Sequence, residues 1–395
     1  MSRTTLLAAP ILATLALSVP ARADFDDCLS GIRAQAAAAG VSAQAFRAAT
    51  QGIAYDPKVI ELSQAQPEFK TPIWDYMAAL VDDERVEDGR AAMRQHAAAL
   101  AQAEARYGVD RHTIAAVWGV ESNFGKNLGA MPLVQSLATL ACSGNRRRDF
   151  FRGELIATLK IIERGDIAPE RLTGSWAGAF GQTQFMPTTY QRLAVDLDGD
   201  GRRDVVDSVA DAVGSTANFL HVAKWSNGQP WGYEVRLPSG FNVGAAGRKN
   251  KRAVGHWASL GVTRIDGRPL TGEGPVGIIA PAGADGPAFL VTKNFDAIYS
   301  YNAAESYGLA IAVLSDRLRG KAGVQAEWPT DDPPLSRAER RDLQTRLTAR
   351  GYDVGEPDGK VGQKTRDAIK DVERKLGMNP TGRPGGKVLE ALRRG

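Results

Sequence analysis

The sequence predicts a mainly α-helical (α+β) protein that has a small β-rich insertion and a compact helical unit at its C-terminus. Residues 24–225 are rich in alanine, arginine and other helix-favouring residues. Residues 228–292 instead combine many glycines and prolines with short β-prone runs. A Pro- and Asp-rich linker at 321–334 precedes the last helical stretch. At roughly 100–200 residues per domain, the 395 residues predict two or three domains.

The charge of the chain is close to balanced overall but unevenly distributed. A net charge of +4 is too small to indicate a nucleic-acid-binding protein, and 43% hydrophobic residues exclude a largely disordered chain. Residues 335–395 carry 15 Lys/Arg and 9 Asp/Glu, whereas residues 24–334 carry 32 and 36. A mildly acidic body with a basic C-terminal unit suits an anionic polymer as the partner.

The first 23 residues have the pattern of a secretory signal peptide. A basic residue precedes the mostly apolar run 6–19, and Ala21-Arg22-Ala23 fits an A-x-A cleavage site. The alternative is an uncleaved membrane anchor. The run is shorter than the ~20 residues that a span requires and is flanked or interrupted by Pro10 and Pro20. No comparable run follows, so we expect no membrane span after cleavage.

The chain has two cysteines, Cys28 and Cys142, and both remain after the predicted cleavage. In an oxidising compartment such a pair predicts a disulfide, worth ~4–5 kcal/mol in the chain-entropy model. Two unpaired buried thiols are the alternative. Two cysteines and four histidines without ligand spacing do not indicate a zinc site.

Helix signals are clearest in the middle of the larger part. Residues 89–107 predict a helix that stops at Gly108, and Asp110 is the expected N-cap of the next helix. That second helix carries apolar residues at helical spacing, namely Ile114, Val117 and Trp118. A further helix is predicted at 209–223.

The β-rich insertion and the chain that follows it complete the element prediction. Within 228–292 the β-prone runs are 233–237, 276–280 and 288–292. Helical patterning returns at 307–318, and residues 335–395 predict a compact helical unit of about 60 residues.

Glu121 is the first candidate for chemistry. Ile114, Val117 and Glu121 are spaced i, i+3, i+7, so the carboxyl group ends an otherwise apolar stripe near Gly125. Desolvation there raises a carboxyl pKa towards the range of a general acid at neutral pH. The alternative is a helix-terminal glutamate that pairs with a cation such as Lys126.

Residues 174–187 form a second candidate, with small residues at six of the first eight positions that allow close approach of a ligand. Gln182 and Gln184 offer donors and acceptors for sugar hydroxyl and acetamido groups, and Trp176 and Phe180 offer apolar faces. A tight turn with two solvated glutamines is the alternative.

Taken together, these segments resemble the B-type lytic murein transglycosylases, which have a goose-lysozyme-like catalytic domain. The resemblance rests on Glu-Ser-x-Phe-Gly at 121–125, on the Gly-Ser-x-Ala-Gly-Ala and Gln-Phe-Met-Pro segments within 174–187, and on Tyr301-Asn302 with Tyr307. It implies a catalytic domain over residues 24–320.

The resemblance also implies the reaction and the roles of the site residues. Glu121 is expected to protonate the glycosidic oxygen between N-acetylmuramic acid and N-acetylglucosamine, and then to deprotonate the C6 hydroxyl, which closes a 1,6-anhydro ring. No second carboxylate stands near Glu121 in these motifs, which fits a substrate-assisted route. Ser175 is expected to bind the Glu121 carboxyl and Gln184 the acetamido sugar, while the cleft is lined by Tyr301, Asn302 and Tyr307.

A third motif, residues 196–207, fits a twelve-residue EF-hand loop. Its predicted Ca²⁺ ligands are Asp196, Asp198, Asp200, the Arg202 carbonyl, Asp204 and Asp207. Position 12 is Asp rather than Glu, which shortens that arm. An exposed acidic loop offset by Arg202 and Arg203 is the alternative, and members of the B-type family carry one such loop with a structural role.

The C-terminal unit, 335–395, resembles a three-helix peptidoglycan-binding domain through Asp-Gly-x-x-Gly-x-x-Thr at 358–365. Its expected core comprises Leu343, Leu347, Ile369, Val372 and Leu376. We therefore expect a monomeric periplasmic enzyme that acts on peptidoglycan glycan strands, alone or within cell-wall enzyme complexes. A hydrolytic muramidase and a non-catalytic wall-binding protein are the rival functions.

Overall fold

The computed structural model describes residues 19–64, 71–144 and 146–394. The predicted signal peptide, 1–23, lies outside the described residues except for its last five, which open the first helix. Among the described helices, none combines the length and the apolar character that crossing a membrane requires.

The fold is mainly α, as predicted, and the described residues of its larger part form fourteen α-helices. In chain order these are α1 (Val19–Ala38), α2 (Ala43–Thr50), α3 (Pro57–Gln64), α4 (Ile73–Leu80), α5 (Asp83–Gln95), α6 (Ala97–Tyr107), α7 (Arg111–Ser122), α8 (Leu133–Cys142), α9 (Arg148–Arg164), α10 (Pro187–Leu193), α11 (Val209–Val222), α12 (Val254–Ser259), α13 (Lys293–Tyr299) and α14 (Glu305–Leu318). A two-stranded antiparallel pair, β1 (Met131–Pro132) with β2 (Thr173–Gly174), joins α8 to the glycine-rich segment.

The helix predicted over residues 89–107 is two helices in the structure. The chain breaks at His96, whose φ of −110° and ψ of 29° end α5 and begin α6. The predicted end at Gly108 is confirmed, because this glycine has a φ of 66° and caps α6 in the left-handed conformation. Asp110 is the N-cap of α7, as predicted, and accepts backbone N–H bonds from His112 and Thr113.

Two cores lie side by side in the larger part. One surrounds α7, α11 and α14 and includes Ile114, Val117 and Trp118. The other packs α1, α8, α9 and α10 together, and the predicted disulfide between Cys28 and Cys142 is present and joins α1 to α8. The glycine-rich segment and the catalytic candidates lie where these two cores meet.

The predicted β-rich insertion is a five-stranded antiparallel sheet with its own core around Trp257 and Leu290. Its strand order is β4-β6-β7-β3-β5. The strands are β3 (Gly232–Arg236), β4 (Arg252–Ala253), β5 (Thr263–Arg264), β6 (Pro275–Ile279) and β7 (Ala288–Val291). The three predicted runs match β3, β6 and β7, shifted by at most one residue.

The C-terminal unit consists of α15 (Arg337–Ala349), α16 (Gln363–Lys375) and α17 (Gly386–Arg394). Ser336 and Glu339 form a capping box at the start of α15. Four of the five predicted core residues are buried, but Leu376 is 49% exposed, so that assignment is wrong. Leu376 follows the last residue of α16, where the apolar stripe has already left the core.

Candidate active site

Glu121 lies in the last turn of α7, and the local sequence fixes where that helix ends. Asn123 and Phe124 follow with φ angles of 51° and 58°, and Gly125 with 80°, so the chain leaves the helix through a left-handed turn. A Cβ at Gly125 would come within 2.7 Å of the Gln182 side chain, which also requires glycine there. The turn thereby places the Glu121 carboxyl at the edge of a cleft.

The electrostatic setting of Glu121 suits an acid that later acts as a base. Burial raises the pKa of Glu121 to about 7, although a hydrogen bond from the Tyr307 hydroxyl to Oε1 lowers it. Near neutral pH both protonation states are therefore populated. Burial also raises the pKa of Tyr307 well above its usual value, so this phenol stays a hydrogen-bond donor.

Tyr301 and Tyr307, two predicted cleft residues, stack with ring centroids 6.3 Å apart. The Tyr301 hydroxyl donates to the Thr183 carbonyl over 2.8 Å. This hydrogen bond links the segment that precedes α14 to the glycine-rich segment. Asn302 is exposed and lines the same cavity as Glu121 and Tyr307. These three predicted cleft residues are thus gathered around the carboxyl.

Ser175 and Gln184 both bond to backbone groups in and beside the glycine-rich segment. The Ser175 Oγ accepts a hydrogen bond from the Ala179 N–H over 3.0 Å within its own loop, and no described contact joins it to Glu121. The Gln184 Nε2 donates to the carbonyls of Leu128 and Gly181 over 3.1 and 2.9 Å. Both side chains therefore bond to backbone groups whose proximity could not be predicted from the sequence.

Gln182 is a buried structural residue and does not grip a sugar. It is 5% exposed; its Oε1 accepts from Trp118 Nε1 over 2.9 Å, and its Nε2 donates to the Val206 carbonyl over 3.0 Å. Its own carbonyl accepts from the Ser122 hydroxyl over 2.8 Å. Gln182 therefore connects Trp118 and Ser122, which lie on either side of Glu121 along α7, to Val206 within the 196–207 loop. Phe180, expected to face a sugar, is fully buried.

The acidic loop brings together three of the predicted metal ligands and one residue that was not predicted. Carboxylate oxygens of Asp196, Asp198, Asp200 and Asp211 all lie within 4.8 Å of one another. Asp211 lies in the first turn of α11, and its carboxylate accepts the backbone N–H groups of Leu197 and Asp204 over 2.7 Å each. The twelve-residue pattern could not reveal Asp211, because it lies four residues beyond position 12.

Asp204 and Asp207, predicted at positions 9 and 12, do not join this cluster. The Asp204 carboxylate caps the backbone N–H groups of Val206 and Asp207 over 2.9 and 2.8 Å. The Asp207 carboxylate instead forms a two-point ion pair with Arg171. Arg202 turns its side chain onto Asp200. The physical reason is that an arginine outside the loop competes for the last carboxylate.

The cleft continues into a cavity of about 1260 Å³ that the C-terminal unit helps to enclose. On one side it is lined by α4, α5, the end of α7 and Asn302 with Tyr307. The other side consists of α15, α16 and residues 358–361 and 381–384. The C-terminal unit thus forms a wall of the candidate active site, a role that its sequence did not predict.

Comparison with known proteins agrees with these features. Residues 24–316 match the family described as transglycosylase SLT domain, and residues 336–392 match a peptidoglycan-binding domain family. The membrane-bound lytic murein transglycosylase B of Escherichia coli (strain K12) is 32% identical over 242 residues. That match covers 60% of this chain and 64% of the length of that relative.

Solved structures are similar over more of the chain. SltB3 from Pseudomonas aeruginosa in complex with NAG-anhNAM-pentapeptide is 44% identical, covers 93% of this chain and 99% of its own, and superposes with a TM-score of 0.75. Escherichia coli Slt35 in complex with calcium is 26% identical, covers 75% of this chain and 93% of its own, with a TM-score of 0.64. Because the family match extends over most of the chain, the protein belongs to the transglycosylase SLT domain family and carries a C-terminal peptidoglycan-binding domain.

Proposed function

We propose that the protein is a lytic transglycosylase that cleaves the β-1,4 bond between N-acetylmuramic acid and N-acetylglucosamine in peptidoglycan. The observation that carries the proposal is Glu121, a carboxyl with a pKa of about 7 that accepts a tyrosine hydrogen bond and lines a large cavity. SltB3, 44% identical to this chain, has been solved in complex with NAG-anhNAM-pentapeptide, which contains the anhydro sugar that such a reaction produces.

In the first step the protonated Glu121 donates its proton to the glycosidic oxygen, so the N-acetylglucosamine leaves with a free 4-hydroxyl. Among the described residues that line the cavity, the other carboxylates are Asp75, which pairs with Arg383, and Asp358 on the opposite wall. Asp75 is committed to its two hydrogen bonds from Arg383, and no described contact joins either carboxylate to Glu121. The acetamido oxygen of the muramic acid therefore attacks C1 in place of an enzyme carboxylate.

In the second step the Glu121 carboxylate removes the proton from the C6 hydroxyl, and O6 displaces the acetamido oxygen from C1. The 1,6-anhydro ring closes, the carboxyl is protonated again, and no water is consumed. Tyr307 supports both steps, because its hydroxyl stabilises the carboxylate formed between them. The half-buried Gln184, with its Nε2 already committed, leaves its Oε1 as an acceptor for the acetamido N–H.

Replacing Glu121 with Gln tests this proposal. We expect Glu121→Gln to lower the rate of clearing of purified sacculi by about 10²–10⁴-fold, the usual contribution of general acid–base catalysis. Co-sedimentation with sacculi should persist, and Glu305→Gln, on the exposed start of α14, is the matched control. Mass spectrometry of the wild-type digest should find 1,6-anhydromuramic ends. Reducing ends alone would identify a hydrolytic muramidase, and clearing by the variant at the wild-type rate would exclude the role of Glu121.

We propose further that the acidic loop binds a structural Ca²⁺ ion. Four carboxylates within 4.8 Å repel one another, and hard oxygen donors of this kind are the ligands that Ca²⁺ prefers. Asp196, Asp198, Asp200 and Asp211 would hold the ion, which would fix the loop without entering the reaction. Slt35, a relative of 26% identity, was solved in complex with calcium.

Calorimetry on chelator-treated protein tests the ion. We expect heat on addition of millimolar Ca²⁺ and a higher Tm, and we expect Asp211→Asn to weaken both. No heat and no change in Tm would refute the assignment. Asp285→Asn, in a loop of the β-rich insertion, is the control.

We also propose that the protein is exported to the periplasm and works as a monomer on the glycan strands. The N-terminal pattern over residues 1–23 supports export. Sequencing the mature N-terminus should find Asp24, and light scattering should give the mass of one chain; an intact Met1 or a dimer mass would contradict the respective statement.

A further inference from the structure

Three arginines meet where the catalytic body contacts the C-terminal unit. Arg85 belongs to α5, whereas Arg337 and Arg340 lie one turn apart on α15. All three line the cavity that contains Glu121. The Arg85 Nη1 donates to the carbonyl of Gly119, which is two residues before Glu121 on α7. The cluster is therefore attached to the helix that carries the catalytic carboxyl.

Each of these guanidinium groups has a buried donor without an acceptor. Arg85 is only 7% exposed, yet its Nε has no hydrogen-bond partner, and neither does the Nε of Arg340 nor the Nη2 of Arg337. Arg337 approaches Asp82 and Asp88 no closer than 3.8 Å. A buried charged donor without a partner is costly, so three in one cluster require an explanation.

The surrounding acids do not neutralise the cluster. Asp75 is held by Arg383, Glu84 by Arg341, and Asp88 lies 2.9 Å from Lys126. Asp82 remains, and one of its carboxylate oxygens caps the N-terminus of α5. Burial, with Arg337 nearby, lowers the pKa of Arg85 to about 10, and burial also lowers the pKa of Arg340. Three cations thus share one free carboxylate oxygen, the Asp82 Oδ2, which lies 3.8 Å from the Arg337 Nη2 and accepts no hydrogen bond.

The lining of the whole cavity also carries an excess of positive charge. Eight Lys/Arg and three Asp/Glu residues line it, so an anionic ligand is attracted to the interior rather than repelled. Arginine is the side chain best suited to hold a carboxylate through two parallel hydrogen bonds.

We propose that Arg85, Arg337 and Arg340 form a carboxylate-binding site, which holds an acidic group of the peptidoglycan strand while Glu121 acts on the glycosidic bond. This inference rests on the proposed function and deepens it by naming the part of the substrate that the second wall of the cavity binds. Two sources supply the carboxylate in peptidoglycan. One is the stem peptide, and the other is the lactyl group of a muramic acid that has lost its peptide.

Three glycan substrates separate these sources. Peptide-bearing strands present stem carboxylates, peptide-free strands present lactyl carboxylates, and peptide-bearing strands amidated at their acidic groups present neither. Wild-type protein is expected to cleave all three to anhydro products, with the highest KM on the amidated strands. The variants are Arg340→Gln, Arg340→Lys, which keeps the charge, and Arg394→Gln, an exposed arginine of α17, as the matched control.

We expect Arg340→Gln to raise KM about tenfold on one or both carboxylate-bearing substrates, the effect of losing one charged hydrogen bond. Its kcat and its KM on amidated strands should be unchanged, and Arg340→Lys should recover part of the affinity. The substrate that responds identifies the source.

An equal effect of Arg340→Gln on all three substrates, or no effect on any, overturns the inference. Should Arg340→Gln fail to fold, a wild-type KM that is the same on amidated and unamidated strands overturns it instead. The proposed function fails differently, because wild-type protein would then form no anhydro product from any strand.

Discussion

At the scale of single residues, the pKa of Glu121 is the balance of two opposing influences. Burial raises it, and the hydrogen bond from Tyr307 lowers it by favouring the ionised carboxyl. The value of about 7 is therefore a property of this pair of residues in its cleft. A change in Tyr307 should move the pH at which the carboxyl loses its proton.

Tyr307→Phe removes the donor and keeps the ring. We expect the pKa of Glu121 to rise, because only the favourable contact to the ionised form is lost. Since the reaction begins with the protonated carboxyl, the alkaline limb of the kcat/KM profile should move to higher pH. The rate at the optimum should fall about tenfold with the lost charged hydrogen bond.

The pH profile of anhydro-product formation measures both effects. Tyr299→Phe is the control, since Tyr299, the last residue of α13, packs against Arg248 and has no described contact with Glu121. An alkaline limb that stays in place, or that moves to lower pH, would contradict the role given to Tyr307.

The sequence predicted the raised pKa of Glu121 and its place at a helix end because that setting is local: an apolar stripe along one helix and a glycine just beyond its end. The roles of Ser175 and Gln182 depend on which backbone groups the folded loop brings near them. Asp211 reaches the acidic cluster from the next helix, and Arg171 takes Asp207 from outside the loop. Such contacts depend on tertiary structure and leave no pattern in the neighbouring residues.

At the scale of elements, Gln182 couples α7 to the C-terminal end of the acidic loop, residues 196–207. Its side chain bridges Trp118 and the Val206 carbonyl, and its own N–H donates to the Val205 carbonyl over 2.8 Å. The acidic loop is therefore linked to α7, the helix that carries Glu121, by the hydrogen bonds of one buried residue.

Gln182→Leu keeps the approximate size of that side chain but leaves the Trp118 Nε1 and the Val206 carbonyl without partners. Each unpaired buried group costs about 1–3 kcal/mol, so the free energy of unfolding should fall by at least about 2 kcal/mol. Urea unfolding followed by tryptophan fluorescence measures the loss. Gln51→Leu, on the exposed C-cap of α2, should change little. Equal stability of the two variants would show that Gln182 does not carry this connection.

The elements also show where sequence patterns are informative. β3, β6 and β7 were predicted to within one residue, because β-branched and aromatic runs between glycines define short strands. The break at His96 was missed, since alanine and arginine favour helix on both sides of it. At this break the His96 ring packs edge-on against the Trp118 ring, with the two centroids 5.5 Å apart. Helix propensity describes single residues and cannot predict such a tertiary contact.

At the scale of the whole molecule, the C-terminal unit is held against the catalytic body by ion pairs. Arg383 binds Asp75 through two hydrogen bonds of 2.7 and 2.8 Å, and Arg341 binds Glu84 in the same two-point manner. The Arg383 and Asp75 side chains are 19% and 11% exposed, so salt screens this pair less than the more open Arg341 pair. The wall that closes the cavity therefore depends on electrostatic contacts with unequal sensitivity to salt.

Arg383→Gln combined with Arg341→Gln should release the C-terminal unit while both parts stay folded, because each part has its own apolar core. We expect a larger radius of gyration by small-angle X-ray scattering and faster proteolysis within residues 321–334, the segment predicted to be a linker. Wild-type protein should expand towards the same dimension only at high salt. Lys364→Gln removes an exposed ion pair within the C-terminal unit and should change neither quantity. Identical scattering of the double variant and the wild type at low salt would show that packing, rather than these ion pairs, holds the wall in place.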